Sequence, residues 1–171
     1  PRWRVGEAAV SAPLTLTEHQ CRLWMGRLLR RANRVGDSGE VPVAALVLDC
    51  HGRCIGYGVN RRERDQDPLG HAELVALQQA TSIRGDWRCN SCTLLVTLEP
   101  CPMCAGALVQ ARMGQVIFAA RDPKRGAMGG TIDLSSHESA HHHMRVIGGV
   151  LEREASQMLE CWFRQRRRRS V

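Results

Sequence analysis

The sequence contains no long run of apolar residues, and none approaches the roughly 18–20 residues that a membrane-spanning helix needs. The basic residues Arg2 and Arg4 are not followed by an apolar stretch either, so we expect no secretory signal. The first absence excludes a helical membrane span within this sequence. Together, the two absences make the cytoplasm the expected compartment.

Lysine is nearly absent as well, because 24 residues are basic and Lys124 is the only lysine among them. A GC-rich genome produces the same skew towards arginine, so the skew by itself excludes no class of function. The balance of charge is more informative. A net charge of +7 and an isoelectric point near 9.4 favour a polyanionic partner.

The residues that are present predict a chain with a real hydrophobic core, because 43% of its 171 residues are apolar. We predict a loose N-terminal arm at residues 1–16 and one domain at residues 17–171 that ends in a basic C-terminal helix. In a chain without a secretory signal, eight cysteines are more typical of metal-binding thiols than of disulfides.

The hydrophobic pattern predicts helices that alternate with strands. Thr17 and Gln20 fit a capping box, and the apolar stripe that follows them has the period of an amphipathic helix. The remaining predictions are strands at 41–48, 54–60, 93–98, 115–120 and 146–147, and helices at 71–81, at 102–112 and from about 150 onwards. A polar loop at 61–70 precedes the second helix. This order predicts an α/β fold, a three-layer α/β/α sandwich with a central mixed five-stranded sheet.

Two short motifs place metal-binding and acidic side chains at the starts of two predicted helices. His71 and Glu73 open one helix, and Cys101 and Cys104 open the next. Pro102 suits the first helical position, where the free N–H groups and the helix dipole favour thiolates. His71 and Glu73 lie about 200° apart around a regular helix, so they can share a site only off its N-terminal end. We therefore expect two helix starts to converge on one metal ion.

The residue types at these positions predict a catalytic zinc site. His71, Cys101 and Cys104 would supply three ligands and leave one position of a tetrahedral zinc open, as catalytic sites do. Zinc in this state activates a water near neutral pH. Glu73 is not needed as a ligand and would carry the protons. The combination H-x-E and P-C-x-x-C is the signature of zinc-dependent nucleobase deaminases.

Each motif has a plainer interpretation when it is considered alone. A single C-x-x-C is often a redox pair or half of a structural zinc site. Cys89 and Cys92, together with Cys50 and Cys54, could form a four-cysteine structural zinc site, and free thiols are the simpler expectation. The histidines at 141–143 could bind a further metal, but a solvated cluster in a loop is the commoner arrangement.

At these motifs the sequence resembles the bacterial tRNA adenosine deaminases of the cytidine deaminase-like superfamily. The resemblance runs from about residue 17 to residue 167, and its matching stretches are 41–43, 60–61, 71–74, 97–107 and 120–127. Free-base and nucleotide deaminases share the zinc motifs. The stretch Ala-Arg-Asp-Pro-Lys-Arg-Gly-Ala at 120–127 and the basic C-terminal helix resemble the tRNA enzymes in particular.

The resemblance implies that adenosine is deaminated hydrolytically to inosine at the wobble position of an arginine tRNA anticodon, with one zinc ion per chain. Glu73 would take a proton from the water and return protons to ring nitrogen 1 and to the leaving amine. Asn60 and the backbone N–H of Ala72 would hold the flipped base, and Val43 would form part of the pocket wall.

The resemblance also implies partners. The anticodon stem-loop would be held through phosphates by basic residues, namely Arg121, Lys124, Arg125 and, from the tail at 164–169, Arg166 and Arg167. A homodimer is expected, with residues near the pocket supplied across the interface.

The sequence departs from the family at three places. Where the family has an Asn-His pair before its last short strand, this chain has His141 and His142; Cys89 and Cys92 and the arm before Thr17 are also outside the pattern. Two other functions remain open at this stage. One is a deaminase of a free base or nucleoside such as guanine, and the other is a non-catalytic zinc-stabilised RNA-binding module.

Overall fold

The computed structural model describes residues 12–169. Within them, the strands are β1 Ala44–Leu48, β2 Cys54–Val59, β3 Thr93–Leu98, β4 Gln115–Ala120 and β5 Arg145–Ile147. The helices are α1 Glu18–Asp37, α2 Arg62–Asp65, α3 Ala72–Arg84, α4 Pro102–Gln110 and α5 Glu152–Arg169. The part of the predicted arm at residues 1–11 lies outside the described residues. Residues 12–16 belong to no helix or strand.

The five strands form one mixed sheet in the order β2-β1-β3-β4-β5. β1 is antiparallel to both β2 and β3, whereas β3, β4 and β5 run parallel to one another. The predicted mixed five-stranded sheet is therefore confirmed. Because β3 and β4 are parallel, the carboxyl end of β3 and the loop after β4 lie at the same edge of the sheet.

Helices cover both faces of the sheet and complete the predicted three layers. α1 and α5 pack on one face, while α3 and α4 pack on the other. Alternate residues of β1 serve the two sides: Ala45 and Val47 join the core under α3 and α4, and Ala44 and Leu46 join the core under α1 and α5. The three central strands β1, β3 and β4 are thus buried on both faces, as their continuous apolar sequences indicate, whereas the edge strands β2 and β5 are partly exposed.

Helix ends follow local chemistry. Thr17 accepts a hydrogen bond from the Gln20 backbone N–H, and the Gln20 side chain accepts one from Thr17 N–H, which completes the predicted capping box. α3 extends three residues beyond the predicted end at Thr81, to Arg84. It stops where Gly85 adopts a φ of 66°, a left-handed conformation that favours glycine.

The sheet edge and α3 approach each other very closely at two glycines of β2. A Cβ atom on Gly58 would overlap the carbonyl oxygen of Ala72, and one on Gly56 would overlap that of Ala76. Only glycine allows this separation, because any side chain would push the helix away. The start of α3, with His71 and Glu73, is therefore set by its packing on β2.

No helix within residues 12–169 is long and apolar enough to cross a membrane.

Candidate active site

Two helix starts meet at the edge of the sheet, as the sequence motifs predict. His71 is the N-cap of α3, and Cys101 is the N-cap of α4 with Pro102 in its first turn. Neither side chain caps its own helix by a hydrogen bond, so both are available for other contacts. Cys104 lies in the first turn of α4 and is fully buried.

The three side chains point their ligand atoms at one another. His71 Nδ1 lies 3.7 Å from Cys101 Sγ and 3.4 Å from Cys104 Sγ. All three atoms lie within 4.8 Å of each other, and no other group within residues 12–169 brings together three such ligands. A tetrahedral zinc with Zn–N and Zn–S bonds of about 2.1 and 2.3 Å requires N···S separations of about 3.6 Å. The donor set and its spacing therefore fit one metal ion.

The contacts within the cluster shift the pKa values of the two thiols and the imidazole in different directions. The pKa of Cys101 is lowered to about 3, chiefly because the Cys104 side chain hydrogen-bonds to its thiolate. The same contact, together with burial, raises the pKa of Cys104. The pKa of His71 is raised, chiefly by its hydrogen bond with Cys101. The site therefore favours the thiolate of Cys101, the form of cysteine that binds metal, and the protonated thiol of Cys104, which would lose its proton when a metal binds.

Glu73 lies within the same site, where its carboxyl group interacts with the Cys104 side chain. Its side chain is 4% exposed, and burial raises its pKa to about 7. His71 opposes this shift, while the thiolate of Cys101 adds to it. A buried carboxyl group that titrates near neutral pH can both accept and release a proton, which is the property required of a proton carrier.

The predicted base-binding residues lie beside this site and are joined by two hydrogen bonds. The N–H of Ala72 donates to Asn60 Oδ1 over 3.0 Å, and both residues are buried. The N–H of Asn60 donates in turn to the carbonyl of Val43 over 3.1 Å. Val43, Asn60 and Ala72 are thus neighbours, and Asn60 is held at both its backbone and its side chain. Their contacts with a base stay a prediction.

The basic residues predicted to contact RNA lie in two places and are all exposed. Arg121, Lys124 and Arg125 occupy the loop at residues 121–130 that follows β4, and Arg166 and Arg167 lie on the last turns of α5. The Arg166 guanidinium stacks 4.9 Å from the centre of the Trp162 ring.

The sequence did not indicate what holds the loop at 121–130. The structure shows that the carboxylate of Glu99, which is 2% exposed, accepts backbone hydrogen bonds from this loop. Backbone donors carry no signature in the sequence, and these lie more than twenty positions away from Glu99. The only signal in the sequence is the pair of glycines at 126 and 130, because a side chain at either position would collide with the Glu99 carboxylate.

The remaining cysteines and histidines do not form a second metal centre within the described residues. Cys89 and Cys92 are buried together at a turn before β3, whereas Cys50 is half-buried and Cys54 is exposed. His141 and His143 are exposed, and His142 Nε2 contacts the carbonyl of Met113 at 2.7 Å.

Comparisons with known proteins agree with this geometry. The family model described as MafB19-like deaminase matches residues 19–167. A tRNA-specific adenosine deaminase from Bacillus subtilis is 41% identical over 150 residues, which are 88% of this chain and 92% of that protein. The chain belongs to the deaminase family that includes the tRNA-specific adenosine deaminases.

The chain is also similar to one solved structure and to part of one longer protein. A solved structure from a study of A-to-I editing by tRNA:A34 deaminases at the wobble position of transfer RNA has a TM-score of 0.76 and 34% identity, covering 80% of this chain and 98% of that one. A tRNA(Ile)-lysidine synthase from Deinococcus radiodurans is 41% identical over 173 residues, which cover 100% of this chain but only 29% of that protein. The chain thus resembles one segment of that longer protein.

Proposed function

We propose that this protein deaminates adenosine to inosine at the wobble position of a tRNA anticodon. The observation that carries the proposal is the cluster of His71, Cys101 and Cys104. Glu73, which is buried, lies beside it in the first turn of α3, the helix that His71 caps. A purely structural metal site has no use for a buried carboxyl group beside three ligands. The family membership and the similarity to a tRNA:A34 deaminase structure support adenosine in tRNA as the substrate.

The metal that suits this donor set is zinc, held by His71, Cys101 and Cys104, with one ion per chain. Two thiolates and one imidazole are ligands that zinc prefers. When bound with three protein ligands, zinc supplies an activated water as the nucleophile.

Glu73 would move the protons of the reaction. Its carboxylate takes a proton from the water and delivers protons to ring nitrogen 1 and to the amine that leaves carbon 6 of adenine. Burial supports this role because it raises the pKa of Glu73 to about 7, so that both protonation states are accessible.

Asn60 would orient the base. Its Oδ1 already accepts the Ala72 N–H, which leaves the Nδ2 amide hydrogens to donate to an acceptor nitrogen of the purine ring. Ala72 would then act on the base mainly by fixing the Asn60 amide, while Val43 lines the wall beside it. A base in a hairpin loop is largely unstacked, so moving it into this pocket costs only a few kcal/mol.

A tRNA substrate also implies phosphate contacts, a cellular compartment and an oligomeric state. Phosphates of the anticodon stem-loop would meet Arg121, Lys124, Arg125, Arg166 and Arg167, and the expected tRNA is an arginine tRNA. We also infer a cytoplasmic enzyme, because tRNA is processed there, and a homodimer. The mass of the purified protein in solution, measured by light scattering, tests the dimer.

The proposed function is tested with purified zinc-loaded protein and RNA hairpins of several anticodon arms that carry adenosine at the wobble position. Nucleoside analysis after digestion should find inosine at that position, most rapidly in the arginine hairpin. A hairpin with guanosine at the wobble position, free adenosine and free guanine should all remain unchanged. Xanthine from guanine, with no inosine in any hairpin, would identify a free-base deaminase instead. Binding of the hairpin without any turnover would identify the RNA-binding module.

A further inference from the structure

The carboxylate of Glu99 is the centre of a network that the reaction itself does not use. Glu99 follows β3 directly and lies two positions before Cys101. Its Oε2 accepts the N–H of Asp122 at 2.9 Å, and its Oε1 accepts the N–H groups of Met128 at 3.0 Å and Gly130 at 2.8 Å. One buried side chain therefore ties together the beginning and the end of the loop at residues 121–130.

The loop closes tightly around this carboxylate. A Cβ atom on Gly130 would lie 2.7 Å from Glu99 Oε2, and one on Gly126 would overlap the Glu99 carboxyl carbon. The backbone of Ala127 adds a hydrogen bond of 2.9 Å to the carbonyl of Pro100, the residue between Glu99 and Cys101. The loop is thus attached to the same short segment that carries a metal ligand.

A second set of hydrogen bonds extends the network to the cations of the loop. Asp122, whose N–H is bound by Glu99, accepts the N–H of Lys124 at 2.9 Å and of Arg125 at 3.0 Å on its own Oδ1. Arg121 directly precedes Asp122. All three cationic side chains are exposed. The Arg121 guanidinium lies 5.8 Å from the centre of the Phe118 ring, whereas Lys124 and Arg125 are positioned by their backbone attachment to Asp122.

We propose that Glu99 is a positioning residue for RNA, because its buried carboxylate fixes Arg121, Lys124 and Arg125 relative to the Cys101 end of the active site. This inference rests on the proposed function. A loop that is ordered before binding does not lose conformational entropy when it grips phosphates, so fixing it strengthens binding without any contact between Glu99 and RNA. Two carboxylate oxygens suit three N–H donors, whereas an amide offers one oxygen and turns its own N–H groups towards donors.

The test is a double-mutant cycle that measures the affinity of the zinc-loaded protein for a wobble-adenosine hairpin by fluorescence anisotropy. Glu99→Gln should weaken binding about tenfold, because part of the binding free energy is then spent on ordering the loop. In a background with glutamine at Arg121, Lys124 and Arg125, the same change should cost no more than about twofold, because little is left to position.

A matched background removes the same number of charges elsewhere, with glutamine at the exposed α1 residues Arg22, Arg30 and Arg34. There, Glu99→Gln should again cost about tenfold. An equal loss in both charge-depleted backgrounds, or no loss in the native background, overturns the proposal.

If Glu99→Gln does not fold, Glu99→Asp takes its place in the cycle. This change keeps a carboxylate but shortens the side chain by one methylene, so that it no longer reaches the three N–H groups of the loop. The expected and the contradicting outcomes are the same as for Glu99→Gln. The cycle measures affinity and not turnover, so the proposed deamination and the proposed role of Glu99 can be disproved independently of each other. Hairpin binding without inosine defeats only the proposed function, and an additive cycle in an active enzyme defeats only the role of Glu99.

Discussion

Single residues of the site fall into two groups, three potential metal ligands and one buried carboxyl group beside them. His71, Cys101 and Cys104 direct their donor atoms at one point, and Glu73 is buried beside them with a pKa raised to about 7. That these four residues meet could be predicted from sequence, because their spacing and the two helix starts restrict where they can lie. Their roles stay a prediction. The contacts of Glu99 could not be predicted, because its partners are backbone groups whose position depends on the tertiary fold.

Replacing Glu73 by glutamine should separate these two roles. The variant keeps the shape of the side chain and all three metal ligands, so its zinc content should remain near one ion per chain. Its single-turnover rate of inosine formation should fall about 10²–10⁴-fold, the usual contribution of a proton carrier. Metal analysis and a rapid-quench assay measure the two quantities, and a variant with native turnover would show that another group moves the protons.

Replacing Cys104 by serine should release the metal. A serine hydroxyl is a poor substitute for a thiolate, and the buried site offers no other thiol in its place. Cys92→Ser is the matched control, because it removes a buried thiol outside the cluster and should leave the zinc content unchanged. Zinc retained by Cys104→Ser, or lost from Cys92→Ser, would contradict the assignment of ligands.

At the scale of secondary structure elements, the packing of α3 on β2 sets the geometry of the site. The sequence predicted most elements because their apolar periods are long enough to recognise. β1 begins at Ala44 and not at the predicted residue 41, since Pro42 has no N–H for a sheet hydrogen bond. α2 lies in the loop predicted at residues 61–70, because a helix of four residues has no period to detect.

Gly58→Ala tests this packing. The added methyl group would overlap the Ala72 carbonyl oxygen, so the start of α3 must shift, and the free energy of unfolding should fall by about 1–3 kcal/mol. The affinity for zinc should fall as well, because His71 moves with the helix start. Thermal unfolding and metal titration measure the two effects.

Gly106→Ala on α4 is the control for that substitution. Nothing lies within 4 Å of the position that its Cβ would occupy, and alanine favours a helix over glycine by roughly 0.5–1 kcal/mol. This variant should therefore be at least as stable as the native protein. If both glycine variants behave alike, the close approach of α3 to β2 does not govern the site.

At the scale of the whole molecule, a net charge of +7 accompanies a site built for a base within a polyanion. Exposed arginines contribute to this charge from two segments, the end of α5 and the loop at residues 121–130. Composition predicted the polyanionic partner, but no local pattern distinguishes an arginine that binds phosphate from one that is merely solvated. The contacts with RNA therefore depend on measurement.

Salt dependence identifies which arginines bind phosphate. Glutamine at Arg166 and Arg167 should reduce the slope of log affinity against log salt concentration by roughly 1.4–1.8, because two phosphate contacts no longer release counterions. Glutamine at Arg22 and Arg30 of α1 removes equal charge and should leave the slope nearly unchanged. Hairpin affinities from low to moderate salt measure both variants, and equal slopes for the two would remove the proposed role of the α5 arginines.

The proposed reaction requires a metal ion with three ligands from the protein and one position open to solvent. X-ray absorption at the zinc edge of the purified protein counts those ligands directly. We expect two sulfur scatterers at about 2.3 Å and two nitrogen or oxygen scatterers at about 2.0–2.1 Å. Three or four sulfur scatterers would mean a closed structural site, which has no position for a catalytic water.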